Sequence, residues 1–170
     1  NETTMCCEKH PCGQLYLYGY YSDHITKQPT VWDGISKHCR GIILDSHGNI
    51  VERPFPKFWT FYQYLSKSMV LLSENRIYRI PSGKFRILEK IDGTMVTLYW
   101  KNDKPYLATQ RSFTNPKAIE ATKLLYEKYT HLFSKLNRKY TYIFEAVYPE
   151  TKVLIDYGET RDLFLIGVID

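Results

Sequence analysis

The chain has 170 residues and a formal net charge of +5, with 44% hydrophobic and 24% charged residues. Those proportions exclude a disordered or fibrous polymer, and the length suits one domain over residues 1–170 with a true core. The basic excess is moderate: it favours nucleic acid or a polyphosphate ligand without establishing either. With no signal peptide and no apolar run long enough to span a bilayer, the sequence points to an intracellular protein, cytoplasmic or nuclear, with free thiols and no membrane partner.

In chain order, the first feature is Cys6-Cys7-Glu8-Lys9-His10-Pro11-Cys12. It contains zinc-ligand residue types but lacks paired CxxC spacing and an obvious second ligand pair, so a metal site is disfavoured. Residues 14–21 (QLYLYGYY) read as a strand, followed by a polar loop. Gly41–Leu44 and Asn49–Arg53 flank Ser46-His47-Gly48 as a hairpin. A short helix is expected near Trp59–Ser66, then strand-like pieces over 76–89, one of them ending at Leu88. A second hairpin spans TMVTLYWKNDKPYLATQRS with its turn at Lys101–Lys104. Asn115-Pro116 starts the one convincing helix, an N-cap followed by proline at the first helical position, with Ile119, Leu125, Tyr129, Leu132, Phe133 and Leu136 at helical spacing to Asn137. TYIFEAVYP, KVLIDYG and LFLIGVID read as closing strands.

The expected fold is therefore α+β, an antiparallel-sheet system with one long helix. Scarcity of helices between strands argues against a doubly wound sheet. The 15 tyrosines include candidates for base stacking, although β-propensity and core area account for most of them. Starting without Met and stopping just after an apolar strand, the chain is expected to be a piece of a longer protein.

The chemistry centres on Lys90-Ile91-Asp92-Gly93. A lysine with its ordinary pKa of about 10.4 is neutral in only about one molecule per few thousand at pH 7, so a nucleophilic lysine needs desolvation or neighbouring cations. Strand burial would supply the first, and Arg40, Lys57 and Arg111 the second. Those cations would also suit a phosphate ligand, with Asp92 and Glu145 available to a divalent cation. On these grounds alone, a nucleophile and an exposed hairpin corner stand at even odds. No GxxxxGK[ST] or GxGxxG cradle, HExxH motif or Ser-His pairing competes.

Several motifs occur in order at the spacing of one superfamily. Lys90-Ile91-Asp92-Gly93 matches KxDG. His38-Cys39-Arg40-Gly41-Ile42 is similar to the upstream arginine–glycine segment, and Arg53-Pro54-Phe55-Pro56-Lys57-Phe58-Trp59 resembles RPFPKFFN. Thr109-Gln110-Arg111-Ser112-Phe113 resembles a TRGSF-like strand, with the basic residue displaced by one place. Phe144-Glu145-Ala146-Val147-Tyr148-Pro149 resembles the acidic motif after the helix, and Val153–Gly158 and Leu165–Asp170 resemble IVVDYG and LLGVRD. Over about residues 14–170 the chain thus resembles the adenylyltransferase domain of ATP-dependent RNA ligases of the phage T4 RNA ligase 1 type, within the covalent nucleotidyltransferase superfamily.

The resemblance implies an ATP-grasp-like adenylation fold in which Lys90 attacks the α-phosphate of ATP and carries AMP. The AMP would pass to an RNA 5′-phosphate, and a 3′-hydroxyl would then seal the ends, with no obligate protein partner. It further implies that Arg40, Lys57 and Arg111 contact nucleotide or phosphate, that Tyr18 and Phe58 lie against adenosine, and that backbone at Glu89 and Ile91 reads the adenine edge. Glu145 would serve the ribose or, with Asp92, a Mg2+ or Mn2+ ion. Two later motifs, EGxV-like and KxK-like, lie outside these residues, which implies truncation at the C-terminal side. A catalytically silent RNA-end-binding module and a DNA ligase or mRNA capping core are the alternatives.

Overall fold

The structure, a computed structural model, describes residues 5–20, 35–58, 84, 86–152 and 154–170. The chain falls into two compact units, one of Asn1–Pro56 with Ile91–Asp170 and the other of Lys57–Lys90. The larger unit is α+β with two antiparallel four-stranded sheets. The first sheet has the order β1 (Met5–Lys9), β2 (Leu15–Tyr20), β3 (Ile42–Asp45), β4 (Ile50–Glu52). In the second, β6 (Lys104–Thr109), β5 (Thr94–Lys101), β7 (Thr141–Val147) and β8 (Asp162–Ile169) lie side by side.

Period-two alternation sorts the second sheet's side chains into two cores. From β5 and β6, Val96, Leu98 and Leu107 join Ala146 of β7 and Leu163 of β8 against Ala121, Leu124 and Leu125 of the helix α1 (Pro116–Tyr129). The intervening residues Tyr99 and Ala108 face Leu15, Leu17 and Ile43 of the first sheet, with Phe113 between. The second sheet is therefore a middle layer, covered by α1 on one face and by the first sheet on the other.

Local chemistry explains the boundaries. The β5–β6 hairpin closes on Asn102 and Asp103 with φ of 49° and 62°, the two-residue turn whose backbone twist matches that of its strands. Asn115 Oδ1 accepts the Ala118 N–H at 2.8 Å, capping α1 as the Asn-Pro pair predicts. The α-helix stops at Tyr129, and the expected continuation is a 3-10 segment over Thr130–Lys135. Ile119, assigned to the packed face by spacing, is 58% exposed.

Three other expectations change. The Cys-rich start is strand β1, with Cys6 paired to Gly19 and Cys7 to Tyr18. Both ring nitrogens of His10 are engaged, Nδ1 accepting the Cys12 N–H at 3.0 Å and Nε2 bonded to the Tyr99 hydroxyl at 3.2 Å. Residues 154–158 hold one bend, at Leu154, and the start of a turn at Gly158 instead of a strand, because Asp156 and Gly158 build a tight corner there. Residues 86–90 likewise lack strand structure and no strand pairs with them among the described residues. The helix expected near Trp59–Ser66 and most of the pieces expected over 76–89 lie outside the described residues.

Candidate functional site

The KxDG motif leads into the middle sheet where β5 begins, turning at a bend on Gly93. The β5–β7 ladder starts with Thr94 opposite Ala146, so Asp92 and Gly93 precede it and their amides need other acceptors. Side chains supply both. The Gly93 N–H donates to Glu145 Oε1 at 2.9 Å, and the Asp92 N–H donates to the Tyr157 hydroxyl at 3.0 Å. Glycine is required by space: a Cβ on Gly93 would stand 2.3 Å from the Ala146 carbonyl oxygen and 3.0 Å from its carbon. The glycine of the motif is thus a close-approach residue, seated on the backbone of β7.

Glu145 pairs with Met95 on one side and Phe164 on the other. It shares a face of β7 with Ile143 and Thr141, and that face turns toward the first sheet: the buried Thr141 hydroxyl donates to Glu52 of β4 at 2.8 Å. Glu145 is accordingly half-buried and not a solvated strand charge.

The same sheet end receives the loop after β6. Thr109 N–H donates to the Ser112 carbonyl at 2.9 Å, closing Thr109-Gln110-Arg111-Ser112 into a tight turn. Gln110 turns inward, its Nε2 3.8 Å from the sulfur of Met95, while Arg111 is exposed at the tip. Two glycines bring the first sheet against this turn. A Cβ on Gly19 would lie 2.5 Å from the Gln110 oxygen, and one on Gly41, whose φ is +95°, 3.0 Å from the Gln110 Cα. Arg40 precedes Gly41, and its Nη1 donates to the Pro56 carbonyl at 3.1 Å, tying it to the RPFP segment. That segment is seated in turn by Phe55, whose ring occupies the place a side chain on Gly167 of β8 would need, 2.3 Å from the missing Cβ.

Arg40, Arg111, Ile91, Asp92, Gly93 and Glu145 are therefore gathered at one end of the two sheets. Tyr18 is not among them. Its neighbour Leu17 fills the core between the sheets, so alternation sends Tyr18 to the outer face of the first sheet, in a cleft with Met5, Ile42, Leu44, Ile50 and Arg53. A hydrogen bond with Cys7 raises the Tyr18 phenol pKa there.

In the smaller unit, Glu89 and Lys90 are exposed, Lys57 is half-buried and Phe58 is 62% exposed. Because residues 86–90 form no strand, strand burial does not supply the desolvation expected for Lys90. Sequence reasoning missed Tyr157 as a partner of the KxDG turn, although the Asp-Tyr-Gly triplet is a turn signal that a β-rich reading passed over. It also missed Gly19 and Gly167, whose roles are steric and become visible only against the opposing chain.

Among the described residues no group of three or more His, Cys, Asp and Glu side chains could hold a metal ion. One or two carboxylates together with substrate phosphates suffice for Mg2+; Asp92 and Glu145 are the carboxylates of this segment, and Glu145 Oε1 is engaged by the Gly93 N–H. No helix among the described residues is long and apolar enough to cross a membrane. A cleft of about 540 Å³ at the far end of β5 is lined by Trp100, Tyr126, Phe133 and Arg138. There Arg138 stacks 4.4 Å over Trp100 and pairs with Asp103 at 2.6 Å, which ties the hairpin turn to the chain after α1.

Residues 38–170 match the family model described as RNA ligase. An RNA ligase of Rhodothermus phage RM378 is 29% identical over 198 aligned positions, covering 98% of this chain and 43% of the relative. A protein of Thermovibrio ammonificans, named provisionally as an RNA ligase, is 31% identical over 140 residues, covering 80% of this chain and 34% of its own length. RNA ligase 1 of bacteriophage TS2126 is 24% identical over 132 residues, covering 73% and 32%. The chain thus spans between about a third and just over two fifths of the length of these relatives. The matched span takes in the arginine–glycine segment, the KxDG turn and the Glu145 strand, and on that evidence the chain belongs to the RNA ligase family of the phage T4 RNA ligase 1 type.

Proposed function

We propose that the chain carries the adenylyl-transfer chemistry of an ATP-dependent RNA ligase, with Lys90 as nucleophile. Unprotonated Nζ attacks the α-phosphorus of ATP, a P–N bond forms, the α–β bridging P–O bond breaks and pyrophosphate leaves. A 5′-phosphate oxygen of RNA then attacks the same phosphorus, returning the lysine, and the 3′-hydroxyl of a second end displaces AMP to form the phosphodiester. Arg40, Arg111 and Lys57 would neutralise phosphate charge. Phe58 would offer a ring to the adenosine, and the Glu89 and Ile91 backbone an edge for its hydrogen bonds. A Mg2+ or Mn2+ ion arriving with the nucleotide would supply further charge neutralisation beside Glu145 and Asp92.

The observation that carries this reading is the anchoring of the KxDG turn. Two successive amides are held at 3.0 and 2.9 Å by side chains from separate parts of the chain, and the glycine has no room for a Cβ. A solvated hairpin corner needs none of these constraints, whereas a residue that must meet a phosphorus atom in line depends on a fixed backbone.

The test is incubation with α-labelled ATP and Mg2+, followed by denaturation. Label is expected to stay on the chain, and Lys90→Ala is expected to lose it. Label retained equally by Lys90→Ala, or absent from the full chain under every divalent metal, would refute the proposal. Binding to RNA ends without any adduct would point to the silent end-binding module.

A further inference from the structure

We infer that Tyr157 is a positioning residue for Lys90, acting through the hydrogen bond from the Asp92 amide to its hydroxyl; the inference rests on the adenylyl-transfer reading and adds a residue to its machinery. Asp92 lies two positions after the lysine and two before the first ladder pair of β5 with β7. Its N–H lies outside the β5–β7 ladder, which begins at Thr94. Tyr157, 65 residues further along the chain, provides the acceptor at 3.0 Å.

The local structure shows how that hydroxyl is aimed. After β7, the Thr151 hydroxyl is 2% exposed as part of its residue and bonds to Ala146 and Tyr148, pinning the chain to the sheet end. Lys152 then pairs with Asp156 at 2.6 Å. The other Asp156 oxygen accepts the Gly158 N–H at 2.9 Å, an Asx turn across Tyr157. The Lys152 contact and the Gly158 N–H hold the Asp156 carboxyl below its ordinary pKa. Gly158 takes φ of +60°, with open space where a Cβ would be, and the Thr160 N–H donates to the Tyr157 carbonyl at 3.2 Å. Asp156, Gly158 and Thr160 thus spend their bonds on fixing the backbone that presents one phenol to one amide.

The consequence is a division of labour at the KxDG turn. Glu145 holds the Gly93 amide from within the sheet, and Tyr157 holds the Asp92 amide from a loop outside it. Removing the phenol frees the stretch of backbone nearer to the lysine while leaving Glu145 and Gly93 in place. Productive geometry at the nucleophile then becomes rarer, with nucleotide affinity little changed.

Two measurements test this on the full chain. In Tyr157→Phe, hydrogen exchange at the Asp92 amide is expected to speed up while exchange at Thr94 and Val96 stays as in the wild type. In single-turnover formation of the AMP adduct, the maximal rate is expected to fall about tenfold, with the half-saturating ATP concentration unchanged, a split that general destabilisation does not produce. The pair Gly158→Asn and Gly158→Val tests the turn without touching the phenol. Asparagine tolerates a positive φ and is expected to keep the rate, whereas valine does not and is expected to lower it as Tyr157→Phe does. Unchanged Asp92 exchange or an unchanged maximal rate in Tyr157→Phe overturns the inference, as does equal behaviour of the two Gly158 variants. If the wild type forms no adduct yet Asp92 loses protection in Tyr157→Phe, the ligase reading and with it the catalytic role of Tyr157 fall, while the amide contact stands.

Discussion

Gly93→Ala is the substitution in which the steric account of the KxDG turn is most exposed. The added methyl would meet the Ala146 carbonyl oxygen at 2.3 Å, its carbon at 3.0 Å and Val147 Cγ2 at 3.2 Å. Two of those atoms are backbone of β7, an interior strand paired on both sides, so Gly93 must move rather than its neighbour. Overpacking of this kind costs about 1–3 kcal/mol. Displacing the Gly93 N–H from Glu145 weakens a hydrogen bond to a charged acceptor worth about 1.5–3 kcal/mol. The two losses share one displacement and do not simply add, so a fall of roughly 2–4 kcal/mol in stability is expected. That corresponds to a lowering of Tm by about 4–16 °C for a unit of this size. Gly48→Ala is the contrasting case, since Gly48, unlike Gly93, has positive φ, +84°, and nothing within 4 Å of its missing Cβ; it should cost only the backbone strain of about 1–2 kcal/mol and leave adduct formation intact. Calorimetry and the labelled-ATP assay together read both effects. A Gly93→Ala chain with wild-type Tm and wild-type adduct yield would refute the close-approach argument.

Burial raises the Glu52 carboxyl from its ordinary value of 4.5 to about 7, against the opposing effect of the hydrogen bond donated by Thr141. A raised folded pKa means that the folded state holds the proton more tightly. The associated stability is fully present below about pH 4.5 and declines as pH rises toward and through 7, by roughly 3 kcal/mol in all. Glu52→Gln, which keeps an acceptor for Thr141, should abolish that slope in denaturant titrations at pH 5 and pH 8; an unchanged slope would show that Glu52 is not its source. Gly167→Ala should cost about 1–3 kcal/mol by displacing Phe55, and a double-mutant cycle with Phe55→Ala should show most of that cost disappearing once the ring is gone. Asn115→Ala should lose about 1 kcal/mol of stability through the α1 cap, measured by urea unfolding, with no change in adduct formation.

Much of the fold could be read from residues whose local chemistry has one good solution. Asn115-Pro116 could only start a helix well, and the Lys101–Lys104 turn with its flanking alternation admitted a hairpin. The misreadings have physical reasons. Val153-Leu154-Ile155 has strand composition, but Asp156 and Gly158 form an Asx turn with a left-handed glycine, and Leu154 is left 84% exposed. β1 was hidden because its Cys6 and Cys7 suggested ligands and its burial pattern shows little apolar contrast. Motif order singled out Arg40, Arg111, Asp92 and Glu145, which the fold brings to one end of the sheets. The inward direction of Glu145 was not, because the register of β7 with β5 decides which face each residue takes. The same parity places Tyr18 on the outer face, which no composition argument for a tyrosine-rich strand could reveal. Tyr157 escaped because its partner is a backbone amide 65 positions away, and backbone amides leave no mark in a sequence.

The central claim is that Lys90 carries AMP. It is tested most directly by locating the adduct: incubation of the full chain with ATP and Mg2+, proteolysis at neutral or alkaline pH where a phosphoramidate survives, and mass spectrometry of the peptides. One AMP on the peptide containing Lys90, with fragment ions placing it on that side chain, is the expected result. An AMP placed on another residue, or an unmodified Lys90 in a chain that still seals RNA ends, would contradict it.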